Sequence, residues 1–374
     1  MLVTRLSLRN FRSYEGLEVE MGAGLTVAWG RNGVGKTNLL EALYFACTGR
    51  SCRTSNEREV VRFGGGFTRL ELGTIDADGT EHRIAVGFEP GQPKRLQVDG
   101  AGVERLADSS ARPLVSVFLP DRLDLVTGPP ALRRGHLDQV VAAVWPSRRA
   151  TRTAYSATLA QRNALLARIR AGRAGRSTLP AWDAELARHG VALMRDRTEV
   201  VEALAVAFAT QAEALGLDGR PSIRYRPRSR AEDAQQLADE LAAHVESDLE
   251  RGFSTHGPHR DDLVFRRADH DLRAYGSRGQ QRVSLLALLL AERDHIGAVR
   301  GTHPLMLLDD VMSELDGRRR AALTDQLLSE GQSLITTTDL AHVPGSERSD
   351  VVRLAVTDGA VLHSEPGIGE RMAS

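Results

Sequence analysis

Gly30-Arg31-Asn32-Gly33-Val34-Gly35-Lys36-Thr37 is the stretch that decides the fold. It follows an apolar run, Leu25 to Trp29, that reads as a strand. It opens a segment with Leu39, Leu40, Leu43 and Phe45 at helical spacing, which stops near Gly49. Strand, glycine-rich turn and helix in that order separate a true phosphate loop, the Walker A motif, from a chance run of glycines. The glycines let backbone N–H groups turn inward around the β and γ phosphates of ATP, Lys36 places a compact ammonium between them, and Thr37 offers a hydroxyl to Mg²⁺. An arginine fork is too large for that point. The choice is informative because, of 49 basic residues, only Lys36 and Lys94 are lysines.

Around this loop the first 128 residues are strand-rich. Leu2 to Leu8, Phe67 to Leu72, His82 to Phe88, Arg95 to Val98 and Leu114 to Leu119 are short apolar or alternating runs cut by Gly, Asp and Pro. From about Pro129 to Gly252 the character changes to Ala, Leu and Arg at helical periods, with Leu186, Leu193, Val200, Leu204 and Phe208 tracing a seam. The break Ala171-Gly172-Arg173-Ala174-Gly175-Arg176 predicts two long helices folded back as a hairpin, with arms of about 35 residues reaching roughly 50 Å. After Gly252 strands and helices alternate again: Leu263 to Arg266, a helix from Gly279 to about Ile296, a strand Pro304 to Leu308, a helix after Asp316, and a strand Ser333 to Thr337. A closing hairpin turns at Asp358-Gly359. The expectation is an α/β head, residues 1–128 and 253–374, built from both ends of the chain, with a helical arm, residues 129–252, inserted between.

Two further elements belong with the phosphate loop. Pro304-Leu305-Met306-Leu307-Leu308-Asp309-Asp310 is an apolar strand ending in two carboxylates and reads as Walker B, with Asp309 holding Mg²⁺ and Asp310 acting as general base on the attacking water. Ser277-Arg278-Gly279-Gln280 opens the apolar helix from Val283, which taken alone is a helix cap. Its place in the order changes its meaning. A Walker A motif, then Ser-x-Gly-Gln, then Walker B about 30 residues later, followed by Ser313-Glu314-Leu315-Asp316, is similar to the ABC-type ATPases. That resemblance implies that Ser277 and Gly279 face the ATP held by a second subunit, with Ser313 and Asp316 in the D-loop, so that two ATP molecules join a dimer.

Asn10-Phe11-Arg12-Ser13-Tyr14, the run from Gly30 through Asn38 to Glu41-Ala42, Arg133-Arg134 with Leu137-Asp138, Gly257-Pro258-His259-Arg260-Asp261-Asp262, and Leu308-Asp309-Asp310-Val311 point further. Over nearly the whole chain and in the same order they resemble the RecF family of bacterial recombination mediator ATPases. The resemblance implies an ABC-type P-loop head with a short helical arm, ATP-dependent homodimerisation, and binding to duplex DNA at single-strand gaps. It also implies cooperation with RecO and RecR in placing RecA. Two departures from the ABC pattern stand out. Asp310 occupies a position where transporters carry Glu, which predicts slow turnover. The switch histidine is missing from Ile335-Thr336-Thr337-Thr338-Asp339, which leaves any γ-phosphate contact there to a threonine hydroxyl. No Q-loop glutamine is assigned.

Composition sets the limits. With 49 acidic residues balancing the basic ones, no global charge argues for nucleic acid, and no stretch approaches the ~20 apolar residues of a membrane span. Met1-Leu2-Val3-Thr4-Arg5 runs into a strand pattern rather than a signal peptide, so the expected location is the cytoplasm. Cys47 and Cys52 are the only cysteines and read as packing thiols. His256 and His259 with Asp261 and Asp262 could pass for metal ligands, but Gly257-Pro258 breaks the helical face such a site needs, so the segment reads as a junction. Local charge is more telling. Between Pro129 and Trp182 ten arginines face one acid, Asp138, and Arg148, Arg149, Arg152, Arg162, Arg168 and Arg170 are the candidate DNA contacts, against the plainer reading of a solvated helix face. A second run, Arg220 to Arg230 around Tyr225, precedes an acidic helix and suits internal pairing equally. Two rivals share the three ATPase motifs. The nucleotide-binding subunit of a membrane transporter has a compact helical subdomain where this chain has a long basic insert, and a long-armed SMC protein needs a far longer coiled coil.

Overall fold

Leu39, Leu40, Leu43 and Phe45 fold as expected into a helix, Lys36–Thr48, whose apolar residues are fully buried on nearly every side. A helix of that kind must be enclosed, and the computed structural model, which describes residues 1–364, shows two six-stranded sheets enclosing it. One is antiparallel, in the order Tyr14–Glu20, Leu2–Phe11, Thr68–Ile75, Glu81–Phe88, Arg95–Val98, Ala101–Gly102. Its alternation is clear: Leu6, Leu8, Leu70, Leu72, Ile84 and Val86 face the helix, while Arg5, Arg9, Arg69 and Arg83 face outward. The other runs Ala360–His363, Val352–Thr357, Leu25–Trp29, Ser333–Thr337, Leu305–Leu308, Val115–Phe118, parallel throughout except at the Ala360–His363 edge. Its strands Leu305–Leu308 and Ser333–Thr337 are buried along their whole length. The first accordingly reads as an unbroken apolar run, while the second carries small hydroxyl residues among its apolar ones. Truncating a core leucine such as Leu43 to Ala costs about 2–5 kcal/mol.

These elements form one compact unit, Met1–Arg122 with the chain from Ile296 onward. It is an ABC-type α/β head assembled from both ends of the chain. Residues 365–374, which the expected head includes, lie outside the described residues. The strand Tyr14–Glu20 escaped the sequence reading because three Glu and one Gly leave it too little apolar character.

The second compact unit is Leu123–His295. It contains the expected insert, 129–252, and also residues 253–295, so the Ser277 segment belongs to it. The hairpin forms, but its arms are unequal. Leu179–Ala214 has 36 residues, about 50 Å of helix, whereas its partner Arg149–Arg170 has 22. Pro146 is the reason. It cannot continue the helix Pro130–Val144, and Trp145 leaves helical geometry at φ −126°, ψ 87°. The seam from Leu186 to Phe208 is buried as expected. Of the three-stranded sheet His270–Asp271, Asp262–Arg267, Pro221–Arg226, only the middle strand is expected from sequence: the first is two residues long, and Arg224 and Arg226 hide the pattern of the last. There Tyr225 donates its hydroxyl proton to Asp261 and Arg226 lies 3.6 Å from Asp262, so this basic run is partly paired internally.

Candidate functional site

Leu25–Trp29, Ser333–Thr337 and Leu305–Leu308 are neighbouring parallel strands, so their carboxyl ends open on one edge of the sheet. Ligands of open α/β sheets bind at such an edge. Gly30 leaves the first strand at φ 155°, where a Cβ would lie 2.3 Å from the Val356 carbonyl oxygen. Gly35, at φ 113°, caps the Lys36 helix, and its carbonyl accepts the Tyr14 hydroxyl proton at 3.0 Å. Between them Arg31, Asn32 and Gly33 are exposed and Val34 is half-buried. The Lys36 ammonium donates to the Gly30 and Arg31 carbonyls at 2.7 and 2.8 Å. Burial lowers its pKa, opposed by the Asp310 and Asp309 charges.

The Leu305–Leu308 strand brings two carboxylates, and the Ser333–Thr337 strand sets a threonine beside them. Thr37, first among the helix residues after Lys36, donates its hydroxyl proton toward Asp309, with 3.0 Å to both oxygens, across 272 residues of chain. Thr336 donates to Asp309 at 2.6 Å and accepts the Asp310 N–H at 2.9 Å. Burial raises the Asp309 pKa against the pull of the Thr336 and Thr37 hydrogen bonds. A threonine hydroxyl beside a carboxylate is the hard oxygen set that suits Mg²⁺. Asp310 sits in the left-handed region, φ 45°, ψ 33°, and its Oδ1 is buried with no hydrogen-bond partner among the described residues. Strain and an unmatched acceptor at one residue are marks of a functional position. The threonine expectation needs correcting at two residues. Thr336 props Asp309 and Asp310, and Thr337 donates to the Asp339 carbonyl at 2.9 Å, so both hydroxyls are engaged within the protein.

A cluster beside the loop was given no role from sequence. Glu41 is fully buried on the Lys36 helix and receives Arg12 through two nitrogens at 2.9 and 2.7 Å, Arg53 at 3.2 Å and Ser51 at 2.5 Å. Arg53 also donates to Asn38 at 3.0 Å, and Asn38 donates to Ser13 at 2.9 Å. Residues from either side of the loop thus clamp the start of the helix. The signal was present: a lone glutamate inside an apolar helix must find cationic partners.

Ser277 and Gln280, in the second unit, form a reciprocal cap. The Gln280 N–H donates to the Ser277 hydroxyl at 3.3 Å, and the Ser277 N–H donates to the Gln280 side chain at 2.9 Å. This starts the helix Arg278–Arg300 and leaves Ser277, Arg278 and Gly279 exposed. In the first unit Ser313 donates to the Asp310 carbonyl at 3.0 Å. Asp316 caps the helix Gly317–Ser329 by accepting the Arg319 N–H at 3.0 Å, and both side chains are exposed.

The arm arginines divide. Arg162 must be withdrawn as a DNA contact: it is 0% exposed and donates to Asp183 at 2.6 Å, Asp248 at 2.6 Å and Ser254 at 2.7 Å. Arg148 stacks on Trp145, 4.0 Å from its ring, and pairs with Asp196 and Glu199, while Arg152 pairs with Asp138 at 3.0 Å. Arg149 is half-buried, Arg168 is exposed, and the exposed Arg170 donates to the Arg251 carbonyl at 3.3 Å. Arg133, in the same stripe, is buried against Asp262. Most partners of the stripe lie between Asp183 and Asp262, downstream of the stretch that looks so basic. His259 is half-buried, bonded to Tyr155 and the Ser254 carbonyl, and burial lowers its pKa to about 4. No group of three or more His, Cys, Asp or Glu residues is arranged for a metal among the described residues. Cys47 is buried, its thiol pushed up to about 12 by burial, and neither cysteine is in a disulfide.

A family model described as an AAA domain matches residues 5–110. The DNA replication and repair protein RecF of Chloroflexus aurantiacus is 38% identical, over 97% of this chain and 100% of its own. A solved structure of the recombination mediator protein RecF-ATPrS in the RecFOR pathway superposes with a TM-score of 0.83 at 27% identity, covering 97% of this chain and 98% of that one. An Smc head bound to the C-winged helix domain of ScpA shares the fold alone, with a TM-score of 0.61 at 17% identity, covering 98% of each chain. No helix among the described residues is long and apolar enough to cross a membrane.

Proposed function

The chain belongs to the RecF family of DNA replication and repair proteins, and on that premise we propose that it is an ATP-gated DNA-binding protein whose switch is the site around Lys36. Lys36 and the loop from Gly30 to Gly35 hold the β and γ phosphates of ATP. Thr37 and Asp309 hold Mg²⁺, which offsets phosphoryl charge. Asp310 accepts the proton of the attacking water through its unmatched oxygen. Hydrolysis is slow, because the aspartate is short and its backbone is fixed in a strained turn. Ser277 and Gly279 of a second copy close over the nucleotide, with Ser313 and Asp316 at the same joint, so ATP holds a homodimer. That dimer grips duplex DNA at single-strand gaps and works in the cytoplasm with RecR and RecO to place RecA.

The observation that carries this reading is the chain of hydrogen bonds from Thr37 through Asp309 and Thr336 to Asp310. Three remote segments converge on one metal-and-base arrangement beside Lys36. Measuring ATP turnover and sedimentation with and without duplex DNA tests it. The expected results are an ATP-dependent dimer, turnover that responds to DNA, and loss of ATP binding in Lys36→Ala. No dimer with ATP and no response to DNA would sink the reading.

A further inference from the structure

The outer face of the antiparallel sheet carries charge that the ATP site does not use. Strand register aligns Gly16 with Arg9, Arg9 with Arg69, Arg69 with Gly87 and Gly87 with Arg95, so the five form one row across five strands. Paired positions share a face, and Arg9, Arg69 and Arg95 are all exposed on it. Like charges directly opposite each other destabilise a sheet, and Arg9 and Arg69 are such a pair, with no acid in their row.

The adjoining rows are closed by comparison. Arg5 pairs with Glu18 at 2.5 Å, and Glu71 takes both Arg83 and Arg69, the latter at 2.7 Å. Arg9 and Arg95 have no ion-pair partner among the described residues. The Arg9 guanidinium lies 5.8 Å from the ring of Phe67, which is 41% exposed. A shallow depression of about 660 Å³ opens here, lined by Ser7, Arg9, Glu15, Gly16, Arg69 and Glu71 among others. Gly16 keeps its floor low, since nothing lies within 4 Å of where a Cβ would be.

We propose that the row of Arg9, Arg69 and Arg95 binds the phosphate backbone of duplex DNA. This rests on the reading of the chain as a DNA-binding ATPase and moves the contact from the arm to the head. At about 4.8 Å per strand the three arginines span roughly 15 Å, the axial length of about four base pairs at 3.4 Å each. Guanidinium forks match phosphate in pairs of hydrogen bonds, and a shallow surface reaches the backbone without entering a groove, so the contact is independent of sequence.

The test uses the full chain with ATP and a duplex of mixed sequence, titrated between about 50 and 200 mM salt. In Arg9→Ala/Arg69→Ala/Arg95→Ala the slope of log affinity against log salt falls by about three and affinity drops at least tenfold or so, while ATP binding and the thermal midpoint stay unchanged. Arg9→Ala/Arg95→Ala, which breaks no ion pair, guards against misfolding and lowers the slope by about two. Unchanged slope and affinity in both variants, with wild type binding duplex, overturn this inference and leave the proposed function standing. A wild-type chain that ignores duplex DNA sinks both. A loss confined to single-stranded DNA overturns the choice of duplex.

Discussion

Charged side chains meet different fates in the two units. In the second, Arg162, Arg197 and Arg133 are sealed inside against Asp183, Asp248, Asp138, Asp261 and Asp262. Arg197 shows the result: burial alone would lower its pKa, yet the Asp138 hydrogen bond and charge and the Asp261 charge raise it above the usual arginine range. In the first unit Glu41 is matched in the same way by Arg12 and Arg53, but Lys36 and Asp310 at the phosphate loop are held less completely. Lys36 is met by backbone carbonyls that a phosphate can replace, and Asp310 has an oxygen with no hydrogen-bond partner among the described residues. A charge matched from within holds the fold, and a charge left partly open is available to a ligand.

Breaking the sealed side has the largest effect. Arg162→Ala leaves Asp183 and Asp248 buried without their cation and lowers stability by about 3–5 kcal/mol, read by chemical denaturation, with nucleotide affinity of the folded fraction unchanged. A small loss would mean that this network is no more structural than a surface pair.

Acid reaches the same unit through His259. Its pKa in the fold, about 4, lies below the ordinary 6.5, so between those values the unfolded chain binds more protons. Stability is full above about pH 6.5 and is lost as pH falls toward 4, by on the order of 3 kcal/mol from this group. Burial is the main cause, aided by Arg260 and Arg134 and opposed by the Ser254 hydrogen bond and Asp248. In His259→Gln the acid limb of the denaturation midpoint flattens. An unaltered limb would exclude His259 as its source.

Asp310 sharpens the other side of the comparison. At φ 45° Asp and Asn are tolerated better than longer side chains, so Asp310→Glu costs about 1 kcal/mol of stability, whereas Asp310→Asn costs little. The left-handed backbone therefore favours Asp over Glu at this position, a reason that the sequence alone did not supply. Equal midpoints for the two variants would remove that reason. Smallest of all, Arg152→Ala removes a half-exposed partner of Asp138, which keeps Arg197, and changes stability by about 0.5 kcal/mol or less.

Much of this was legible in the sequence because it is local. The loop from Gly30 to Thr37, the Leu305–Leu308 strand with its two acids, and the Asp358-Gly359 hairpin are set by short patterns, and the structure returns them nearly residue for residue. What escaped was set by distant partners. Arg162 and Arg168 look alike in sequence, and only acids up to 86 residues downstream bury the first. Glu41 was visible, but its partners Arg12 and Arg53 come from loops on either side of it. The arginine row on the sheet is invisible until register aligns Arg9 with Arg69, 60 positions apart.

Central to the account is that the site at Lys36 is half of an ATP-held joint in which Asp310 releases the partner. Sedimentation of Asp310→Asn with ATP and Mg²⁺, alone and with duplex DNA, addresses it directly. The account predicts a stable ATP-dependent dimer that stays on DNA while wild type dissociates as ATP is consumed. An Asp310→Asn chain that binds ATP and remains monomeric would contradict it.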